Sequence, residues 1–181
     1  MIIGVGYKAR SGKDTIASYL VNNYGFVQES FAEPLKEKIG RDICGFSSKQ
    51  LYGELKEVVD PRYGMTPRQM LQKIGTDAMR DVVHIDFWVI PARRKLEEHI
   101  RNGRSVIVSD IRQMNEATLI KDLGGMLWRV DREKADQISS PKHKSETELV
   151  EYTDWDYLID NNAGIEQLYE GVETIMSMER K

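Results

Sequence analysis

The stretch that most constrains this chain is MIIGVGYKARSGKDTIASYL at its start. An apolar run, Ile2 to Gly6, passes through a loop of small and basic residues into a helical pattern from about Asp14 to Tyr24. Ile16, Leu20 and Tyr24 fall at i, i+4 and i+8 on one face, and Gly25 is a natural left-handed stop. Along the chain short apolar runs alternate with helical patterns, which predicts a parallel sheet with crossover helices. Further apolar runs at residues 26–31, 105–109, 126–130 and 157–159 read as the other strands. A closing helix near Gly164 carries Ile165, Leu168, Val172, Ile175 and Met176 on one stripe. Five short strands separated by helices predict a doubly wound α/β core.

Two stretches exceed what such a core needs. Residues 32–101 are long for one crossover and largely helical in pattern, and residues 131–153 are polar. The first reads as a helical insertion or a long crossover, the second as a flap or an ordinary surface loop. On the insertion reading one domain of 181 residues has its core at 1–31, 102–130 and 154–181.

Charge narrows the partners. Lys plus Arg number 26 against 29 for Asp plus Glu, a net charge of −3, so an anion must be held at a local site and polymeric nucleic acid is not expected. The single cysteine, Cys44, forms no internal disulfide and offers no cysteine-based zinc site, which fits a reducing compartment. The longest apolar runs, such as residues 87–92, are too short to cross a membrane, and the first residues lack the basic-then-apolar order of a signal peptide. A cytoplasmic protein without membrane contact is the expectation.

The segment GVGYKARSGKDT lies where a phosphate-binding loop works: backbone N–H groups and a helix N-terminus face an anion, and a lysine adds charge. The pattern G-x-x-x-x-G-K-[ST] is met at Gly12-Lys13 but missed twice. Tyr7 stands at the first glycine position, with Gly6 one residue early, and Asp14 replaces the hydroxyl residue, with Thr15 behind it. Asp14 is placed to hold Mg²⁺ directly or through water, and Thr15 to donate to a phosphate. The bland alternative is a turn with solvated Lys8, Arg10 and Lys13.

In the insertion, Thr66, Pro67 and Gln69 read as N-cap, N1 and N3 of a capping box. Met70, Leu71, Ile74 and Ala78 are the expected apolar side, while Arg68, Gln72, Thr76 and Arg80 recur every four residues on another face suited to a phosphate and a base edge, or to water. Gly75 implies a helix break or a close approach, and Trp88 either a stacking face or a core side chain.

With YKARSGKDT, SFAEPLKE, TPRQMLQKIGTDAMRDVVHIDFW, SDIRQMNEA and HKSETE together, the chain resembles the deoxynucleoside monophosphate kinases of bacteriophages over residues 2 to about 162. The resemblance implies a phosphate-loop kinase fold with a five-stranded parallel sheet, helices on both faces, a helical acceptor-binding insertion and a lid. It implies transfer of the γ-phosphoryl of ATP to a deoxynucleoside monophosphate with Mg²⁺, in the host cytoplasm for a phage-encoded member. It places the ATP phosphates on Arg10, Ser11, Gly12, Lys13, Asp14 and Thr15, and the monophosphate near Lys36, Arg68, Gln72, Gly75, Thr76 and Trp88. Asp110, Arg112 and Glu116 are implied to face the same cleft. Tyr7 is the departure from the family's loop.

The acceptor phosphate has a second pKa of about 6, so phosphoryl transfer needs charge neutralisation more than a general base. Lys13, Mg²⁺ and Arg112 are expected sources; Arg129 and Arg132, flanking the flap, are either further sources or solvated. Asp110 resembles a Walker-B-type acid at the metal, or else orients Arg112. His99 reads as a surface helix residue, His84 and His143 stay open, and Phe87 and Met114 read as packing. Neither Arg41 nor Arg62 is singled out as a substrate contact. ATP and the monophosphate are the expected partners, with room for a homodimer. A related kinase, such as a dephospho-coenzyme A kinase, and a non-catalytic nucleotide-binding module are the alternatives.

Overall fold

The computed structural model describes residues 1–8, 10–133 and 148–180. The chain runs through β1 (Ile2–Gly6), α1 (Lys13–Tyr24) and β2 (Val27–Glu29), then through helices α2 (Leu35–Ile43), α3 (Ser48–Leu51), α4 (Pro67–Gln72) and α5 (Lys73–Val83). It continues as α6 (Val89–Arg101), β3 (Val106–Ile111), α7 (Met114–Asp122), β4 (Met126–Asp131), β5 (Tyr157–Asp160) and α8 (Ile165–Glu179). The strands lie in the order β2-β3-β1-β4-β5, and every pairing is parallel.

β1 is central, and all five of its residues are buried. Alternation sends Ile3 and Val5 into one layer with Ile16, Ala17 and Leu20 of α1 and Leu168, Val172, Ile175 and Met176 of α8. On the other face Gly4 meets Leu127 and Ile120, so helices cover both sides. A fully buried side chain such as Leu20 contributes about 1.5–3 kcal/mol by leaving water. α1 ends as its sequence implies: Gly25 takes φ 69 and its N–H donates to the Leu20 and Val21 carbonyls.

Several details depart from expectation. β2 is shorter than 26–31, with Phe26 and Phe31 buried beyond its ends. β3 runs two residues past Ser109, because a shift of register lets Gly6 of β1 pair with Ile111; Asp110 therefore lies inside the strand. Ile165 and Met114 are exposed, each at the first position of its helix. His99, expected at the surface, is buried; its Nε2 meets Glu29 Oε1 at 2.7 Å, and Lys95 meets the same carboxylate at 2.6 Å. A partner 70 positions away leaves no local trace in the sequence.

The chain divides into two compact units, Met1–Ser30 with Ala92–Lys181, and Phe31–Pro91. Residues 92–101, grouped with the insertion on sequence, belong to the first unit. Residues 134–147, most of the expected lid with Lys142, His143 and Lys144, lie outside the described residues.

The second unit has its own small core of Cys44, Phe46, Leu51 and Leu71. The capping box at Thr66 forms with Gln69, and Pro67 occupies N1. Beyond it the helix changes winding: α5 is a π-helix, as is α2. Hydrogen bonds then span five residues, as in His84 N–H to the Met79 carbonyl, so residues five apart share a face. Leu71 and Thr76 are buried together, as are Gly75 and Arg80, while Ala78 turns to solvent. The expected four-residue polar stripe thus goes from half-exposed Arg68 and Gln72 to buried Thr76 and Arg80.

Candidate functional site

Among the described residues of the loop between β1 and α1, three are left-handed: Tyr7 at φ 90, Arg10 at φ 61 and Gly12 at φ 112. Gly12 is the N-cap of α1, and no side chain caps the helix there. Helices α3, α4 and α7 are by contrast closed by capping boxes. With glycine at its N-cap, α1 starts without a capping side chain, an arrangement that suits a helix N-terminus to an anion.

Lys13 is almost wholly buried, and its Nζ donates to the Lys8 carbonyl and reaches Ser11 Oγ at 3.5 Å. Ser11 is fully buried. Its carbonyl accepts from Asn161 Nδ2 at 2.7 Å, just beyond β5. A Cβ on Gly12 would fall on that same amide nitrogen. Arg10 and Asp14 are exposed, and Thr15 is half-buried in the first turn of α1.

The end of β3 lies beside this loop. Ser109 Oγ donates to Asp14 Oδ1 at 3.4 Å and accepts from Gln28 Nε2 at 3.2 Å. Ser30 Oγ donates to Asp110 Oδ2 at 2.6 Å. Parallel strands thus gather Asp14, Ser30, Ser109 and Asp110 at their C-terminal ends, where open sheets bind ligands.

Glu116 lies inside the turn from β3 to α7. Its Oε2 accepts from the backbone N–H groups of Arg112 at 2.8 Å and Gln113 at 3.2 Å. Burial, aided by the negative charge of Asp110, pushes its carboxyl up to about 8, against the pull of those two donors and the Arg112 charge. Both donors converge on Oε2, which leaves Oε1 for the proton. The Arg112 side chain is exposed.

Arg129, beside Gly6 in the pairing of β4 with β1, stacks its guanidinium 3.8 Å above the Tyr7 ring and bonds Asp131 at 3.0 Å. Arg132 is exposed.

In the second unit, Lys36 lies 4.6 Å over the Tyr52 ring, and Arg68 meets Glu57 at 3.3 Å. Gly75 is not a helix break: a Cβ there would come within 2.5 Å of Leu35 Cδ2, so the glycine admits α2 against α5. Its carbonyl accepts from Trp88 Nε1 at 2.8 Å, and Trp88 is half-buried with Phe87 edge-on at 4.8 Å. Arg41 is engaged by Glu37 at 2.5 Å and Arg62 by Asp60 at 2.7 Å, so both serve carboxylates within the unit. The Arg62 guanidinium holds the Asp60 carboxyl well below the usual range. His84 is exposed, and its Nδ1 accepts from the Asp86 N–H at 3.0 Å.

Within the first unit, then, the structure brings together Ser11, Gly12, Lys13 and Asn161 and ties Asp14 to Ser109, while Asp110, next in β3, bonds Ser30. Sequence reading missed Asn161, Ser109, Ser30 and Gln28. Ser30 and Ser109 open the segments SFAEPLKE and SDIRQMNEA, so the signal was present for those two; Asn161 and Gln28 lie in no such segment and are reached only through the parallel register.

The sequence profile of a family described as deoxynucleotide monophosphate kinase matches residues 42–172. A protein of Acanthamoeba polyphaga mimivirus, provisionally described as a deoxynucleotide monophosphate kinase, is 38% identical over 183 residues, covering 93% of this chain and 92% of that protein. The shikimate kinase of Aquifex aeolicus superposes with a TM-score of 0.54 at 15% identity, covering 99% of this chain and 96% of that one. The dephospho-CoA kinase of Campylobacter jejuni does so at 0.52 and 15%, covering 99% and 97%. At that identity the two structures speak for the fold alone, that of the phosphate-loop kinases. Among the described residues no helix is long and apolar enough to cross a membrane.

Proposed function

The chain belongs to the deoxynucleotide monophosphate kinase family, and on that premise we propose that it transfers the γ-phosphoryl of ATP to a deoxynucleoside monophosphate, giving the diphosphate and ADP. One observation carries the assignment of the donor site. The N-terminus of α1 starts at a glycine N-cap, is preceded by a left-handed loop, and has the buried charge of Lys13 beside it. The loop N–H groups and Lys13 hold the donor phosphates, with Arg10 and Thr15 at the rim.

The side chains beside the loop fit Mg²⁺. Asp14, Asp110, Ser109 and Ser30 offer hard oxygens only, and Asp14 is exposed enough to accept an ion that keeps part of its water. Asp14 and Asp110, with Thr15, would hold it, and when bound it would neutralise phosphate charge. Ser109 and Ser30 orient the two carboxylates. Exposed Arg112, with Arg132, supplies cations for the transferring group, while Arg129 joins the loop in holding the donor phosphates.

Lys36, Arg68, Gln72, Thr76 and Trp88 of the second unit take the acceptor, with Arg68 for its phosphate. The acceptor phosphate is largely ionised at neutral pH, so it attacks without a general base. The reaction runs in the cytoplasm of the cell that makes the protein.

A coupled assay of ADP formation with each of the four common deoxynucleoside monophosphates tests the reading. Turnover with at least one is expected; no ADP from any of them overturns it.

A further inference from the structure

Tyr7 occupies the loop position where the phosphate-binding pattern calls for glycine, and it takes φ 90, a conformation that bulky L residues rarely adopt. Such a residue persists only when its surroundings hold it. Here they do. Trp155 meets the Tyr7 ring edge-on at 6.5 Å, and Trp155 reaches within 2.8 Å of where a Cβ on Gly6 would stand, so only glycine beside Tyr7 admits it. Lys8 Nζ lies 5.0 Å from the ring centroid and the Arg129 guanidinium 3.8 Å from it.

Two contacts orient that guanidinium. The ring sets its plane, and Asp131, at 3.0 Å from Nε, sets its rotation. The Asp131 carbonyl accepts from the Asn161 N–H at 2.8 Å, and the Asn161 side chain holds Ser11. Tyr7, Arg129, Asp131, Asn161 and Ser11 therefore form a circuit that leaves the phosphate loop at one end and returns to it at the other.

We infer that Tyr7 is a positioning residue for the donor nucleotide: its ring seats Arg129 beside the phosphate loop before ATP arrives. The inference rests on Arg129 gripping the donor phosphates. A free arginine loses rotamer freedom when it binds phosphate; one already stacked on an aromatic face loses less. Removing the seat therefore weakens ATP while leaving the transfer step alone.

The test is a kinetic cycle at saturating monophosphate with Arg129→Ala, Tyr7→Phe, Tyr7→Leu, Tyr7→Gly and the double variant Tyr7→Leu/Arg129→Ala. Tyr7→Leu and Tyr7→Gly are expected to raise KM for ATP about fivefold with kcat within about twofold, and Tyr7→Phe to match the parent protein. Tyr7→Gly accommodates the left-handed backbone, so it reports even where Tyr7→Leu folds poorly; a loop merely relieved of strain would bind ATP as well as before. The double variant is expected to be no worse than Arg129→Ala, because both remove one function. If Arg129→Ala raises KM but the Tyr7 variants do not, or if the effects add, the inference falls and the role of Arg129 stands. An unchanged KM in Arg129→Ala removes that role, and the inference with it.

Discussion

The side-chain amide of Asn161 donates to the Ser11 carbonyl at 2.7 Å, across 150 positions of sequence. The residue that follows the last strand thus braces the loop that follows the first. Asn161→Ala is expected to leave Ser11 without this donor, at a cost of about 1 kcal/mol in unfolding free energy, and to raise KM for ATP. Asn161→Asp should do worse than alanine, since it sets a carboxylate against a carbonyl oxygen. Thermal unfolding and an ATP titration of both variants check the order.

Gly12 serves the same contact from the other side. Gly12→Ala puts a side chain at φ 112 and drives its Cβ into the Asn161 amide. The backbone penalty alone is about 1–2 kcal/mol. In a Gly12→Ala/Asn161→Ala double variant the losses should be less than additive, measured by urea unfolding.

Lys13→Ala should reduce turnover by about 100-fold or more while the far-ultraviolet circular dichroism is kept, because the charge at the loop serves the reacting phosphates. An active Lys13→Ala enzyme would remove the loop from the mechanism.

Arg68 separates acceptor from donor. Its ion pair with Glu57 is partly exposed, so Arg68→Ala should cost less than about 1 kcal/mol of stability. KM for the monophosphate should rise about tenfold and KM for ATP stay unchanged. Trp88→Phe, which loses the donor to the Gly75 carbonyl, should also lower the unfolding free energy by about 1 kcal/mol. A shift in ATP affinity on Arg68→Ala would reassign the residue.

Glu116 makes stability depend on pH. Its carboxyl rises from 4.5 to about 8 on folding, chiefly by burial. Between these values the native state binds more protons than the unfolded chain, so this contribution is complete below about 4.5 and is lost as pH rises through about 8. Glu116→Gln mimics the protonated form. It should flatten the fall in unfolding free energy between pH 5.5 and 8.5 and leave the variant the more stable protein at the upper end. Urea titrations at three pH values decide; parallel curves for parent and variant would contradict it.

Much of the architecture is legible locally. The run Ile2–Gly6, the Gly25 stop and the Thr66-Pro67-Gln69 cap are each written in adjacent residues, and each forms as read. What failed is what depends on distant partners. His99 carries a polar side chain on a helix, and only Glu29 of a neighbouring strand explains its burial. Ile165 fits the stripe of α8 but sits at its first turn, beyond the sheet's cover. The four-residue stripe through Thr76 and Arg80 assumes α winding, and a pattern of residue types does not report the change to five-residue bonding. In the candidate site, Lys13 and Asp110 are visible as motif residues. Ser109 stands beside Asp110 in the same segment, but its bond to Asp14, like that of Asn161 to Ser11, becomes visible only when the strands are laid side by side.

The strand order has a consequence for the chain's birth. β1 emerges first from the ribosome, yet its two neighbours in the sheet are β3 and β4, and its next strand in sequence, β2, is not beside it. An apolar strand with both edges unpaired must therefore wait until Asp131 has been synthesised before the sheet can close around it. At about 5–20 residues per second this is a wait of about 6–25 seconds, spent as an aggregation-prone nascent segment. Early protection of Ile2–Gly6 is thus a condition on making this enzyme in quantity.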